Sequence, residues 1–241
     1  MCRFLAVIAP TPFDPLPWIP PFADRCRRSQ EYQGHGWGVA CWTGEGWENH
    51  RTLDPIWEAA LPSLVPTTSL LVHARSAFRN EGIEVTNNMP FVEDDLAFAF
   101  NGELRGVRLR TPGTTGAARL FRLLRSFRGP DSQQLGSALL RLIRVIGRRT
   151  DHLRAMNLAV GDGEAFWVSS AFSEDPAYFT LWRALAPALP AGMQVVASER
   201  FDLATEALSW EPIPRNTMFH LAPESSVPIN VPCTWEASCS S

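Results

Sequence analysis

Met1-Cys2-Arg3-Phe4-Leu5-Ala6-Val7-Ile8-Ala9 is the stretch on which the reading of this chain turns. Residues 4–9 form an apolar run of strand length, too short for a membrane helix. Prolines at 12, 15, 17, 20 and 21 close it, so it predicts a buried strand followed by a Pro-rich loop around Trp18. Cys2 stands immediately before that strand. Initiator methionine is normally trimmed before a residue as small as cysteine. Trimming would leave Cys2 with a thiol and a free α-amine on one residue. The thiol is then a nucleophile, and the amine, directly or through one water, its base. An α-amine titrates near 7.7–8.0, so much of it can take a proton near pH 7. A cysteine that merely begins a strand would look the same, and the rest of the chain decides between the two.

Composition narrows the field. The 241 residues suffice for one large domain or two small ones. Hydrophobic residues make up 45% and charged residues 20%, an ordinary globular balance, and the net charge of −3 argues against nucleic acid. All 22 basic residues are arginine, so a lysine nucleophile or Schiff base is excluded. Cysteines fall at 2, 26, 41, 233 and 239, with no C-x-x-C, and His35, His50, His73, His152 and His220 show no ligand spacing. No metal or cofactor is expected. The odd cysteine count, without a secretory signal or membrane span, suits a reducing, cytoplasmic setting.

Further along, residues 37–42 and 46–51 predict a hairpin around Thr43-Gly44-Glu45, and 55–61 a short helix. Strands are expected at 69–74 and 96–100. Helices follow at 116–128, with Leu120, Phe121, Leu123, Leu124 and Phe127 on one side, and at 132–148, with Asp131 or Ser132 as cap. Strands return at 155–160, 164–170, 194–198 and 217–221. Strands, two helices, then strands predict an α+β sheet sandwich with helices against it, one domain over 1–222. Residues 223–241, rich in Pro and Ser, read as a C-terminal tail. Arg119, Arg122, Arg125, Arg128, Arg141, Arg144 and Arg148 stud the two helices, either as a solvated face or as a docking surface.

Three segments carry candidate chemistry: Met1-Cys2-Arg3, His73-Ala74-Arg75, and Asn87-Asn88-Met89-Pro90-Phe91 leading to Phe100-Asn101-Gly102. A thiolate attacking an amide carbonyl creates an oxyanion. Asn101 can offer its side-chain N–H and Gly102 its backbone N–H. Arg75 can hold a carboxylate in a bidentate pair. Taken singly, Asn-Gly is as readily a turn, and Arg75 a surface charge.

As an ordered set, these motifs resemble the class II glutamine amidotransferases, which are N-terminal-nucleophile hydrolases. The resemblance also rests on Gly36-Trp37-Gly38, Val196-Ala197-Ser198-Glu199 and Trp210-x-Pro212-x-Pro214, and spans about residues 1–222. Within that group the chain looks most like the stand-alone branch that includes γ-glutamyl-hercynylcysteine sulfoxide hydrolase. The resemblance implies a four-layer αββα sandwich, Cys2 as nucleophile, Asn101 and Gly102 as oxyanion hole, and Arg75 as carboxylate clamp beside His73. Three positions depart from the pattern. Gly116 stands where an acid usually binds the α-amine of glutamine, Phe78 where a Thr is usual, and Met89 where a His is usual. No acid occurs between Glu103 and Asp131 to replace it. A lost charge partner should weaken ammonium binding by about 1.5–3 kcal/mol.

The expectation is therefore a thiol amidohydrolase that cleaves the side-chain amide of a glutamine-like or γ-glutamyl compound through a thioester, with free glutamine disfavoured. Two alternatives stay open: a subunit that hands ammonia to a separate synthetase docked on the Arg-rich helices, and an inactive binding protein of the same fold. A homo-oligomer is compatible with either. A papain-like enzyme fits worse, because Cys26 and Cys41 lack the sequence context of such a nucleophile.

Overall fold

The apolar run after Cys2 becomes β1 (Arg3–Phe13), whose alternate residues serve two different cores. Leu5, Val7 and Ala9 face one layer, while Phe4, Ala6 and Ile8 face another. The computed structural model describes residues 1–128, 135–185, 189–223 and 225–230. Joining β1 in one antiparallel sheet are β2 (Trp37–Trp42), β3 (Trp47–Thr52) and β4 (Thr67–Ala74). A second sheet is built from β5 (Phe91–Glu93), β6 (Leu96–Arg105), β7 (His152–Gly161) and β8 (Phe166–Ser170). The first sheet is completed by β9 (Trp182–Leu185), β10 (Gln194–Ala197) and β11 (Ser209–Pro212), the second by β12 (Thr217–Ala222) and β13 (Ser225–Asn230). The orders are β11-β9-β10-β1-β4-β2-β3 and β13-β12-β8-β7-β6-β5.

The two sheets pack face to face, a sandwich core of the kind formed by alternating side chains. Phe4, Ala6 and Ile8 of β1 and Leu71 of β4 meet Ala97 and Ala99 of β6, with Ala159, Phe166 and Val168 beside them. Alanines dominate the β6 contribution, which lets the strands approach. The other face of β6, with Leu96, Phe98 and Phe100, is covered by α2 (Gly116–Arg128) and α3 (Leu135–Arg149). Phe98 and Phe121 pack with centroids 5.3 Å apart across that seam. On the opposite side α1 (Ile19–Arg27) lays Ile19, Phe22, Ala23 and Cys26 over Leu5 and Val7. The layers run α1, sheet, sheet, α2 and α3, which is the expected αββα, α+β sandwich.

Several local expectations change. The Pro-rich loop after β1 contains α1, because Pro20 and Pro21 lie in the first helical turn, where the missing N–H groups have no partners to lose. Residues 55–61 are not helical. Glu58 and Ala59 donate to the Pro55 carbonyl in a single turn, and Pro62 biases Leu61 away from helix. β1 runs past Pro10 and Pro12 because β10 pairs only as far as Ile8, leaving that flank an edge where proline costs nothing. The short strands β9 and β11 and the single turn α4 (Pro176–Phe179) were not anticipated. Within the segment read as tail, 225–230 pairs with β12. The cap expected at Asp131 or Ser132 lies outside the described residues, as do Cys233 and Cys239.

Candidate active site

The first segment is gathered by strand register. Phe4 stands opposite His73 and Arg3 opposite Ala74, so the pairing brings Cys2 alongside Arg75. By alternation from Phe4, Cys2 falls on the face that looks toward the second sheet. Its thiol accepts from the Ser76 N–H at 3.4 Å and lies 3.6 Å from the Ser76 carbonyl. Burial pushes the Cys2 thiol above its ordinary range, while the N-terminal ammonium, the Ser76 N–H and Arg75 pull the other way. A protonated thiol of this kind needs a base before it can attack.

Met1 is held firmly. Its ammonium pairs with Glu31, and its carbonyl oxygen accepts from Gln33 Nε2 and Tyr178 Oη, each at 2.6 Å. Its side chain packs on Ala155, Phe172, Tyr178 and Phe179. Arg3 is buried on the opposite face from Cys2. It reaches Glu199 at 2.6 Å, Ser29 at 3.2 Å and the Tyr178 carbonyl at 2.8 Å, and it stacks on the Tyr178 ring. Cys2 and Arg3 therefore take opposite faces of β1.

Arg75 is buried and fixed. Its guanidinium donates to the Gly82 carbonyl at 2.7 Å, the Glu81 carbonyl at 3.4 Å and Asn88 Oδ1 at 3.1 Å. Asn88 is in turn anchored by donating to the Thr52 carbonyl at 2.6 Å. Gly36 makes this possible. A Cβ there would lie 2.1 Å from Asn88 Nδ2, and its φ of +107° suits only glycine. Among the described residues no carboxylate lies within ion-pair distance of Arg75, and Glu84 acts on it only at longer range.

β6 supplies the other half. Ala97, Ala99 and Asn101 share its inter-sheet face. Asn101 is fully buried, and neither its Oδ1 nor its Nδ2 has a hydrogen-bond partner. Gly102 leaves no space for a side chain: a Cβ would sit 2.1 Å from the Ala155 carbonyl oxygen. His73 reaches across from β4 toward the Phe100 backbone, beside Asn101. Burial takes its imidazole down to about 3, against the opposing pull of the Phe100 backbone, so the ring is neutral.

The remaining candidates are dispersed. Met89 is buried in the helix-side core, where its sulfur accepts from the Phe100 N–H at 3.3 Å, one residue before Asn101. Phe78 is exposed on a short 3-10 turn. Gly116 opens α2 behind the Thr115 cap, whose hydroxyl accepts from the Ala118 N–H at 3.2 Å. A Cβ on Gly116 would meet nothing within 4 Å. A cavity of about 380 Å³ lies nearby, lined by Gly113, Thr114, Ala118, Arg51 and Arg122. Of the arginines on α2, Arg119 donates to the Gly113 carbonyl, Arg125 pairs with Glu93 and Asp94, and Arg128 pairs with Asp95. On α3, Arg141 stacks over Phe127. These four are tied to the chain's own groups.

Sequence reasoning passed over Gln33, Tyr178 and His35, whose Nδ1 accepts from the Ala77 N–H at 2.9 Å, and gave Asn88 no role within its quoted segment. The only available signal was the polar run Gln33-Gly34-His35 directly before Gly36-Trp37-Gly38. Among the described residues no helix is long and apolar enough to cross a membrane, and no cluster of three metal-ligating side chains occurs.

No family model matches this sequence, and no curated protein sequence does. Solved structures do. The glutamine phosphoribosylpyrophosphate amidotransferase from B. subtilis superposes with a TM-score of 0.69 at 16% identity over 96% of this chain. This chain spans about half of that protein, 49% of its length. A glutamine aminotransferase class-II domain protein from Silicibacter pomeroyi gives 0.64 at 19% identity, over 96% of this chain and 100% of its own. A predicted glutamine amidotransferase from Pseudomonas aeruginosa gives 0.55 at 15%, over 94% and 99%. The chain has the fold of the class II glutamine amidotransferase domain.

Proposed function

We propose that this chain is an N-terminal cysteine amidohydrolase that opens the side-chain amide of a glutamine-like or γ-glutamyl compound. The observation that carries this reading is Asn101: a buried amide with both polar atoms unpartnered, on the inter-sheet face of β6, in a fold whose nucleophile strand turns Cys2 toward the same space. Buried polar groups are nearly always satisfied, and the exceptions gather where a ligand completes them.

The chemistry follows from these groups. With Met1 removed, the Cys2 amine takes the thiol proton as sulfur attacks the amide carbon. Negative charge moves to the carbonyl oxygen, where Asn101 Nδ2 and the Gly102 N–H receive it. The ammonium then protonates the departing nitrogen and a thioester remains. Water, activated by the same amine, releases the acid and regenerates the thiol. Arg75 holds the α-carboxylate of the glutamyl portion, its guanidinium already oriented by Gly82 and Asn88.

Free glutamine is not the preferred substrate in this reading. Gly116 supplies no carboxylate for its ammonium, and the space beside it is open. A substrate whose α-amine is masked or absent loses nothing there. The test is a comparison of purified, trimmed protein on L-glutamine and on N-acylated or larger γ-glutamyl amides. Release of acid and amine from the latter at a higher kcat/KM supports the assignment, and no turnover of any amide under conditions where Cys2 is intact contradicts it.

A further inference from the structure

Two hydrogen-bond donors converge beside the nucleophile and have no place in the mechanism above. Gln33 Nε2 and Tyr178 Oη both reach the Met1 carbonyl oxygen at 2.6 Å, and they lie 3.1 Å from each other. That oxygen is only two bonds from the Cys2 nitrogen. Gln33 is completely buried, its Nε2 also donates to the Glu31 carbonyl at 2.8 Å, and its Oε1 has no partner. Tyr178 cannot swing away, because its ring is clamped under Arg3 at 3.7 Å and Arg3 is itself held by Glu199. Trimming Met1 takes the acceptor from both donors and creates a free amine beside them.

We propose that Gln33 and Tyr178 are positioning residues for the Cys2 α-amine: Tyr178 Oη donates to the amine's lone pair, directly or through one water, while Gln33 Oε1 accepts from its N–H. This rests on Cys2 being the N-terminal nucleophile. A donor aimed at the lone pair favours the neutral amine, the form that can accept the thiol proton. It also fixes the direction of that lone pair relative to Sγ. Burial keeps the Tyr178 phenol protonated by pushing it up to about 12, so it remains a donor across the working range. The charged and titratable groups around the amine are Glu31 from the loop after α1, Arg75 after β4, Arg154 on β7 through its pairing with Glu31, and the Cys2 thiol itself, with Arg3 of β1 turned away under Tyr178. Glu31 favours the ammonium, but it stays engaged by Arg154 at 3.6 Å. Arg75 and Arg154 disfavour it. The neutral donors then decide the orientation, which the charges alone do not set.

The experiment uses trimmed full-length protein, with loss of Met1 verified by intact mass. Cys2 alkylation by iodoacetamide and amide turnover are each followed from pH 5.5 to 9.5 for wild type, Tyr178→Phe and Gln33→Met. Tyr178→Phe keeps the ring under Arg3 and removes only the hydroxyl. The expected result is an acid limb moved upward by roughly one pH unit, with rates about tenfold lower near pH 6.5 and recovered by pH 9, in both readouts and with KM unchanged. Gln33→Met removes an acceptor that favours the ammonium, and should move the limb downward instead. An unmoved limb, or an equal loss at every pH, overturns the proposal. Failure of the underlying reading looks different: wild-type Cys2 would then show no preferential alkylation in the trimmed protein.

Discussion

Asn101 of β6 and Asn157 of β7 lie directly opposite each other, and both are fully buried. Only Asn157 is satisfied: its Nδ2 donates to the Phe179 carbonyl at 2.7 Å, and its Oδ1 accepts from the Ala171 N–H at 3.0 Å. One asparagine ties the sheet to α4, while the other has both polar atoms unpartnered. The same side chain in the same ladder is thus satisfied at one position and unpartnered at the other.

Asn101→Ala should therefore leave thermal stability nearly unchanged while lowering kcat by about 10²–10³ with little change in KM. Asn157→Ala should do the reverse to stability, costing about 2–4 kcal/mol as two buried backbone groups lose their partners. Denaturant titration and steady-state kinetics on the two variants check both halves. A KM effect for Asn101→Ala would assign it to substrate binding instead.

Gly102→Ala places a methyl carbon against the Ala155 carbonyl oxygen, so β6 and β7 must separate. A loss of about 1–3 kcal/mol is expected, with activity falling further because the Gly102 N–H moves with its strand. Chemical denaturation beside kcat reads the two effects.

Much of this was legible before any coordinates, and the residues show why. Phe4-Ala6-Ile8 against Leu5-Val7-Ala9 announces a strand buried on both faces, and Ala97-Ala99 between Leu96, Phe98 and Phe100 does the same for β6. Periodicity suffices where both faces pack. The α1 segment was hidden because its prolines read as breakers, and only position within a first turn makes them compatible with helix. Arg75, Asn101 and Cys2 could be named from local motifs. Gln33 and Tyr178 could not, since each acts through a contact far along the chain, Tyr178 on Met1 from 177 residues away.

Gly116→Asp tests the specificity argument. The new carboxylate enters open space at the start of α2, where the helix dipole also favours an anion. Turnover of free L-glutamine should rise, measured as ammonia release, while turnover of N-acylated γ-glutamyl amides should not. Efficient wild-type glutamine hydrolysis, at a kcat/KM of about 10⁴ M⁻¹s⁻¹ or above, would show that another group binds the amine.

His73 makes a pH signature. Burial lowers its folded-state value to about 3, below that of the unfolded chain, so the unfolded state takes up a proton first as the pH drops. Stability is whole above about pH 6.5 and declines toward pH 3, by about 2 kcal/mol at pH 5. Asp95, lowered by its Arg128 hydrogen bond, and Glu103, lowered by Arg105 and Arg154 against the opposing burial, begin to lose their contribution only as the pH falls through the ordinary carboxylate values of about 4, below the pH 5 comparison. His35 and His220, also lowered by burial, add to the decline, so the comparison is with His73→Asn. Denaturant midpoints at pH 7 and pH 5 should differ less in that variant by the stated amount.

The central claim is that a trimmed Cys2 is the nucleophile. Burial raises the Cys2 and Cys26 thiols and pushes that of Cys41 up to about 12, but only Cys2 gains an α-amine base on trimming. Intact mass and peptide mapping, before and after exposure to a γ-glutamyl chloromethyl ketone, test this most directly. The account predicts a protein lacking Met1 that gains one adduct, mapped to Cys2, with amide turnover lost in step. A chain that keeps Met1 and still turns over amides, or an adduct on Cys26 or Cys41, would contradict it.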